Sequence, residues 1–190
     1  MNTAMKTFLT IALGFVFAAA SHAAPLTAEQ QASLDGRKKA IVKWAATPFV
    51  VKAVKELNKK GPISGMTNAT WAALAPDDPV VLSFEKNPVG IWLTKKLKDS
   101  DGVFCEAFLN GGKGEKLAFA AKTTSYLHAG SPKFDVPMSG KPWQGQPEMD
   151  ASSKVYSVQI STPVLDGGKP VGVLVVGVAV DKLGAKAAGQ

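Results

Sequence analysis

Cysteine is almost missing from this chain. Cys105 is the only one in 190 residues, so no intramolecular disulfide can form. A c-type haem needs two cysteines followed by histidine, and that pattern is absent. There are two histidines, His22 and His128, and only the second lies beyond the N-terminal segment. One histidine and one cysteine do not make a structural zinc site, so neither a metal nor a cofactor is expected. Arginine is equally scarce: Arg37 stands alone, and lysine carries the rest of a net charge of +7. The lysine pairs Lys38-Lys39, Lys59-Lys60 and Lys95-Lys96 are scattered rather than striped. That speaks against nucleic acid and for a solvated surface, the alternative being attraction to anionic ligands or an anionic membrane surface. Long apolar runs are also lacking. Leu9–Ala20 is about 12 residues against the roughly 20 that a membrane-spanning helix needs, and Val171–Val180 is interrupted by Gly172 and Gly177.

What is present begins with an export signature. Lys6 precedes the apolar stretch Leu9–Ala20, and Ser21-His22-Ala23 follows with small residues where a signal peptidase cuts. Residues 1–23 are therefore expected to be a cleaved signal peptide, and residues 24–190 a single domain in the periplasm.

Beyond that point the chain reads as helices and then strands. Thr27-Ala28-Glu29-Gln30 has the form of a capping box. Leu34, Ile41, Trp44, Val51, Val54 and Leu57 follow at mostly helical spacing. Pro48 should kink or split this helix, and Gly61-Pro62 ends it. A short helix is expected over Thr67–Ala75, broken at Pro76–Pro79, and another after the cap Asn87-Pro88. Val103–Asn110 and Leu117–Lys122 flank Gly111-Gly112-Lys113-Gly114 as a hairpin. Thr123–Gln146 reads as irregular. Lys154–Pro163 alternates Val155, Ser157, Gln159 and Ser161 against Tyr156, Val158, Ile160 and Thr162. After a turn at Asp166-Gly167-Gly168, Val171–Val180 returns as a buried strand, and Asp181–Ala188 is a helical tail. The order predicts an α+β fold, with helices on one side of a mainly antiparallel sheet.

The closing hairpin, Val164–Leu183 (VLDGGKPVGVLVVGVAVDKL), resembles that of Cache-type, PAS-like extracytoplasmic sensor domains. The Trp44…Pro48…Val51 helix and Lys122-Thr123-Thr124-Ser125-Tyr126 are similar to small stand-alone exported members. The resemblance implies a long N-terminal helix along a sheet of about five to six strands, with a small ligand held between the sheet and the loops over it. In most relatives a membrane helix and an output module follow. This chain ends nine residues after Asp181, so a separate membrane signalling partner is expected instead. The arginine-and-tyrosine signature of the amino-acid-binding members is missing.

A small-ligand site combines apolar walls with a few convergent polar groups. The expected source is Thr124–Trp143 with the sheet beneath it. Tyr126 would stack or hydrogen-bond, and His128 would switch charge near neutral pH. Lys133 would neutralise an anionic ligand, and Trp143 would form a wall. Glu106, Tyr156 and Gln159 would add contacts from the strands. Each also has a plain structural role open to it, as a loop anchor or a solvated side chain. No catalytic residue is expected: Cys105 reads as a small buried hydrophobe, and no third group orients a Cys105–His128 pair. Gly111–Gly114 lacks the spacing and the following Ser or Thr of a phosphate loop. A sensor-like binding domain leads; an interaction module dimerising through the N-terminal helix is the alternative, and an enzyme is the third.

Overall fold

The computed structural model describes residues 24–184, so the expected signal peptide, residues 1–23, lies outside the described residues, as does the end of the expected helical tail. Helix α1 (Ala28–Ala45) opens with the capping box. Thr27 Oγ1 accepts from the Gln30 amide at 3.2 Å, and Gln30 Oε1 accepts from the Thr27 amide at 3.0 Å. Together they satisfy two amide donors that a helix start leaves unpaired. Pro48 splits the N-terminal helix in two. It takes the first turn of α2 (Pro48–Asn58), where its missing N–H costs nothing.

Helix α3 (Asn68–Ala73) follows its Thr67 cap, and α5 (Pro88–Lys98) follows Asn87, whose Oδ1 accepts from the Val89 and Gly90 amides. Between them lies α4 (Pro79–Glu85), where only a break was expected. Asp78 caps it, accepting from the Val80 amide at 2.8 Å, with Pro79 at the first position. Gly90 lets α5 start hard against the end of α4. A Cβ there would stand 2.3 Å from the Phe84 carbonyl oxygen, so no side chain fits.

The sheet comprises β1 (Phe104–Asn110), β2 (Lys116–Phe119), β3 (Trp143–Gln144), β4 (Glu148–Met149), β5 (Tyr156–Asp166) and β6 (Lys169–Ala179). Its order is β2-β1-β6-β5-β3, with β4 also pairing with β5, and every pairing is antiparallel. This is the α+β fold expected, with α1 packed on the sheet. The region expected to be irregular, Thr123–Gln146, contains a further helix, α6 (Pro132–Met138), and the strand β3, with β4 just beyond it. A 3-10 turn, Val180–Lys182, closes the described chain.

Alternation along the strands divides the sheet into two unlike faces. Val158, Ile160, Val164, Leu174, Val176 and Val178 point to one face. There they pack with Leu34 and Ile41 of α1, Val50 and Val54 of α2, and Val89 and Leu93 of α5. Phe108, Phe119, Val173 and Val175 point to the other. There they meet Trp71 of α3, Val81 and Phe84 of α4, and Phe134 of α6. Helices therefore cover both faces rather than one.

Candidate ligand site

The second face carries the chemistry. Register places its residues in rows across the sheet: Asn110 beside Val173 and Pro163, then Phe108 beside Val175 and Ser161, then Glu106 beside Gly177 and Gln159, then Ala179 beside Ser157. Trp143 of β3 extends the Phe108 row as the partner of Ser161. A register shift between Phe104 and Glu106 adds one residue to β1. Strand alternation would put Cys105 and Glu106 on opposite faces. The bulge brings both toward Gly177, where an added Cβ would lie 3.1 Å from Glu106 Cβ and 3.2 Å from Cys105 Sγ. Glycine at 177 makes that room.

The roof is built locally. Asn68 of α3 substitutes for a strand: its Oδ1 accepts from the Tyr126 and Leu127 amides at 2.9 and 2.7 Å, and its Nδ2 donates to the Leu127 carbonyl at 3.0 Å. The same segment bonds back to the hairpin, through Lys116 N to Tyr126 O and His128 N to Gly114 O, both 2.9 Å. His128 is thereby fixed over Phe108, with ring centroids 5.0 Å apart. Helix α6 then brings Lys133 above β5, and the turn after β4 brings in Asp150, Ser152 and Ser153.

A hydrogen-bonded bar crosses the middle of this face. Lys133 Nζ donates to Gln159 Oε1, and Gln159 Nε2 donates to Glu106 Oε2 at 2.8 Å. Ser152 Oγ lies 2.8 Å from Glu106 Oε1 and 2.6 Å from Asp150 Oδ1. Burial works against the Asp150 charge. Hydrogen bonds from Ser152 and Ser153 outweigh it and hold the carboxyl below its usual range.

Beside the bar are buried polar groups with no hydrogen-bond partner among the described residues: Lys116 Nζ, both side-chain atoms of Asn110, His128 Nδ1 and the Ser161 hydroxyl, while the Ser157 and Ser153 hydroxyls face the Cys105 thiol. Lys116 is 1% exposed, and Asn110 and Ser161 are 0% exposed. Asn110 and Lys116 are cross-strand partners, so their side chains share a face at close range. The Lys116 ammonium lies over the Phe108 ring, 2.9 Å from its centroid. Burial drives the Lys116 pKa well below the usual lysine value, with Glu106 opposing and Lys133 reinforcing the shift. An unpaired buried polar group costs roughly 1–3 kcal/mol, and a charged one more. Ordinary core positions do not gather so many.

Of the seven residues singled out in the sequence, Glu106, His128, Lys133, Trp143 and Gln159 converge on this face. Trp143 is half-buried, and its ring lies over Gly145, whose added Cβ would stand 2.9 Å from the indole. The structure places the other two elsewhere. The Tyr126 ring is packed among Trp71 and Phe84, and its hydroxyl accepts from the Ile63 amide at 2.8 Å. It holds α3 and the preceding loop in place. Tyr156 is 36% exposed and alternates with Ser157, on the opposite face of β5. His128 is not a switch near neutral pH. Burial first, then the Lys116 and Lys133 charges, lower its pKa to about 2, so it stays neutral.

Asn110, Lys116, Asp150 and Ser161 were missed as site residues. A lysine two residues past a Gly-rich turn reads as solvated, and only the long return loop over it makes it interior. The Ser157–Gln159–Ser161 alternation was the one legible signal, and it fits a wet face equally well.

No family model matches the chain, and no curated protein matches it. Solved structures do. The sensor domain of the V. cholerae histidine kinase DctB matches at 14% identity and a TM-score of 0.42, over 83% of this chain and 62% of that one. The ligand-binding domain of the Pseudomonas aeruginosa amino acid chemoreceptor PctC, solved with GABA, matches at 18% identity and 0.42, over 83% and 62%. That of the Campylobacter jejuni chemoreceptor Tlp3, solved with L-norvaline, matches at 16% and 0.44, over 86% and 66%. The chain thus spans less than two thirds of each. With TM-scores below 0.5, these likenesses leave function to be argued from the site.

Proposed function

We propose that this chain is a sensor-type binding domain that captures a small anionic molecule between the second sheet face and the roof formed by α6 and the 123–128 segment. The observation that carries this is Lys116: a fully buried amine with no hydrogen-bond partner among the described residues, beside an equally unpartnered Asn110. Such a group destabilises the unliganded protein, and an incoming anion removes that cost. Lys133 already donates to Gln159 and completes a basic rim rather than the primary contact. We place the domain outside the cytoplasm after removal of residues 1–23, with its state read by a membrane partner. Binding is favoured over catalysis because burial raises the Cys105 thiol pKa and lowers that of His128, which leaves neither a thiolate nor a ready base.

A thermal-shift screen of organic carboxylates, phosphates and amines tests the proposal. Anions should raise the melting temperature and amines should not. Stabilisation by amines alone, or by nothing in the screen, would overturn it.

An interaction module is the second reading, and one observation favours it. Ile91, Val42 and Phe49 are exposed at 59%, 48% and 41% on α5, α1 and α2. Trp44 is less available, being packed edge-on against Trp92 and Phe104 at 6.0 and 4.8 Å. A concentration-dependent dimer in light scattering, lost on Ile91→Glu, would support a homodimer through this surface.

A further inference from the structure

We propose that the outer side of the α1–α2–α5 layer docks on an anionic lipid surface. This surface lies across the sheet from the ligand face and is independent of it. Its charge sets it apart. Helices α1, α2 and α5 carry nine basic residues and three acidic ones, Glu29, Asp35 and Glu56. Their net +6 is nearly all of the chain's +7. Helices α3, α4 and α6 on the second face carry one basic residue, Lys133, and two acidic ones, Glu85 and Asp135. Lysines that look scattered in the sequence are thus gathered into one layer by the fold. Asp99 and Asp166, at the edges of the layer, pair with Lys95 and Lys55. Lys59 and Lys60, just after α2, offset those two acids. Lys39, Lys43, Lys52 and Lys98 are exposed and form no ion pair among the described residues.

Apolar groups share this surface. The three helices converge at Trp92 of α5, whose ring stands 6.0 Å from that of Trp44 on α1 and 6.3 Å from that of Phe49 on α2. Lys96 Nζ lies 5.4 Å from both indole rings. Phe49 is exposed beside the two partly buried tryptophans. Tryptophan rings and lysine chains settle together at the headgroup level of a bilayer, ring inward and charge outward. A groove beside the exposed Ile91 is lined by Lys86, Lys95 and Lys98. The charge chooses the occupant. A second copy docked by the same face would set one positive layer against another. An acidic protein matches the sign, but protein interfaces favour arginine and are poor in lysine. Here Arg37 is the single arginine among eight lysines. Lysine is a compact point charge on a flexible stem. That suits a diffuse anionic surface, where each such charge strengthens binding about 5-fold.

The test is co-sedimentation of the full chain with two kinds of vesicle, phosphatidylcholine alone and phosphatidylcholine with phosphatidylglycerol in equal parts, at low and high salt. Every arm contains residues 1–23, so differences between arms report the folded domain. The mixed vesicles should bind the protein far more than the neutral ones, and salt should release it. Lys43→Gln/Lys52→Gln alters two exposed side chains outside the core and should weaken binding about 25-fold. Lys141→Gln/Lys154→Gln removes the same charge from exposed positions ahead of β3 and β5 and should cost less than about 5-fold. Phe49→Ala should weaken binding several-fold with the salt dependence retained. Equal binding to both kinds of vesicle, no binding at low salt, or an equal loss in the two lysine pairs would overturn the proposal. So would a dimer lost on Phe49→Ala, which gives this face to a second copy. A tighter hold on poly-glutamate than on the mixed vesicles gives it to an acidic protein and overturns the proposal as well. Each of these results leaves the anionic-ligand reading untouched.

Discussion

The two faces of one sheet are built from the same strands, yet one is sealed and the other is unfinished. Along β5, Val158 and Ile160 alternate with Ser157, Gln159 and Ser161, and all five are buried. The first face meets α1, α2 and α5 with apolar side chains save for the buried Thr162, each apolar one worth roughly 1.5–3 kcal/mol on full burial. The second leaves Lys116, Asn110 and Ser161 without hydrogen-bond partners among the described residues. A core shaped only by stability would have filled those positions with apolar residues. On the proposed reading, one face holds the domain together while the other is kept available for a ligand, a division in which stability is given up where function needs a strained site.

The comparison breaks most visibly on the sealed face. Leu174→Ala should cost about 2–5 kcal/mol, measured by urea denaturation, with ligand discrimination retained in the folded fraction. Next in size, for each pH unit, is acid. His128 is neutral when folded and has a pKa near 6.5 when unfolded, so the unfolded state binds more protons between pH 6.5 and about 2. Stability should fall by up to about 1.4 kcal/mol for each pH unit through that window. His128→Phe should flatten this acid limb.

Smaller, and opposite in sign, is Lys116→Met. Replacing a buried, unpaired amine by an apolar chain of similar length should stabilise the unliganded protein by about 1–3 kcal/mol. The depressed Lys116 pKa adds a pH signature. Anion binding draws the proton back onto the amine, so affinity should decline as pH rises between the free and the bound pKa. Smallest is Thr27→Ala, which removes one cap of α1 and should cost about 1 kcal/mol without touching binding.

The fold was legible wherever its signals were local. Thr27, Pro48 and Asn87 mark helix starts by chemistry that acts within four residues. Short helices that begin with or contain prolines were not legible: α4 begins at Pro79, and α6 holds both Pro132 and Pro137. Proline there reads as a breaker, although it suits a first turn. The site was half legible. Glu106, His128, Lys133, Trp143 and Gln159 could be named as candidates because their side chains invite contact. Lys116 and Asn110 were not, because their burial is created by residues 123–138 folding back over the hairpin. Tyr126 misled for the same reason: an aromatic in that segment serves either as roof or as contact, and only the Ile63 hydrogen bond shows which.

The central claim is that Lys116 is kept buried and unpaired for an anion. Its most direct test measures, on the same Lys116→Met protein, the melting temperature without ligand and calorimetric binding of the best anion from the screen. A higher melting temperature together with lost binding is the predicted result. A variant that melts lower, or that binds the anion as tightly as the unaltered chain, would contradict it.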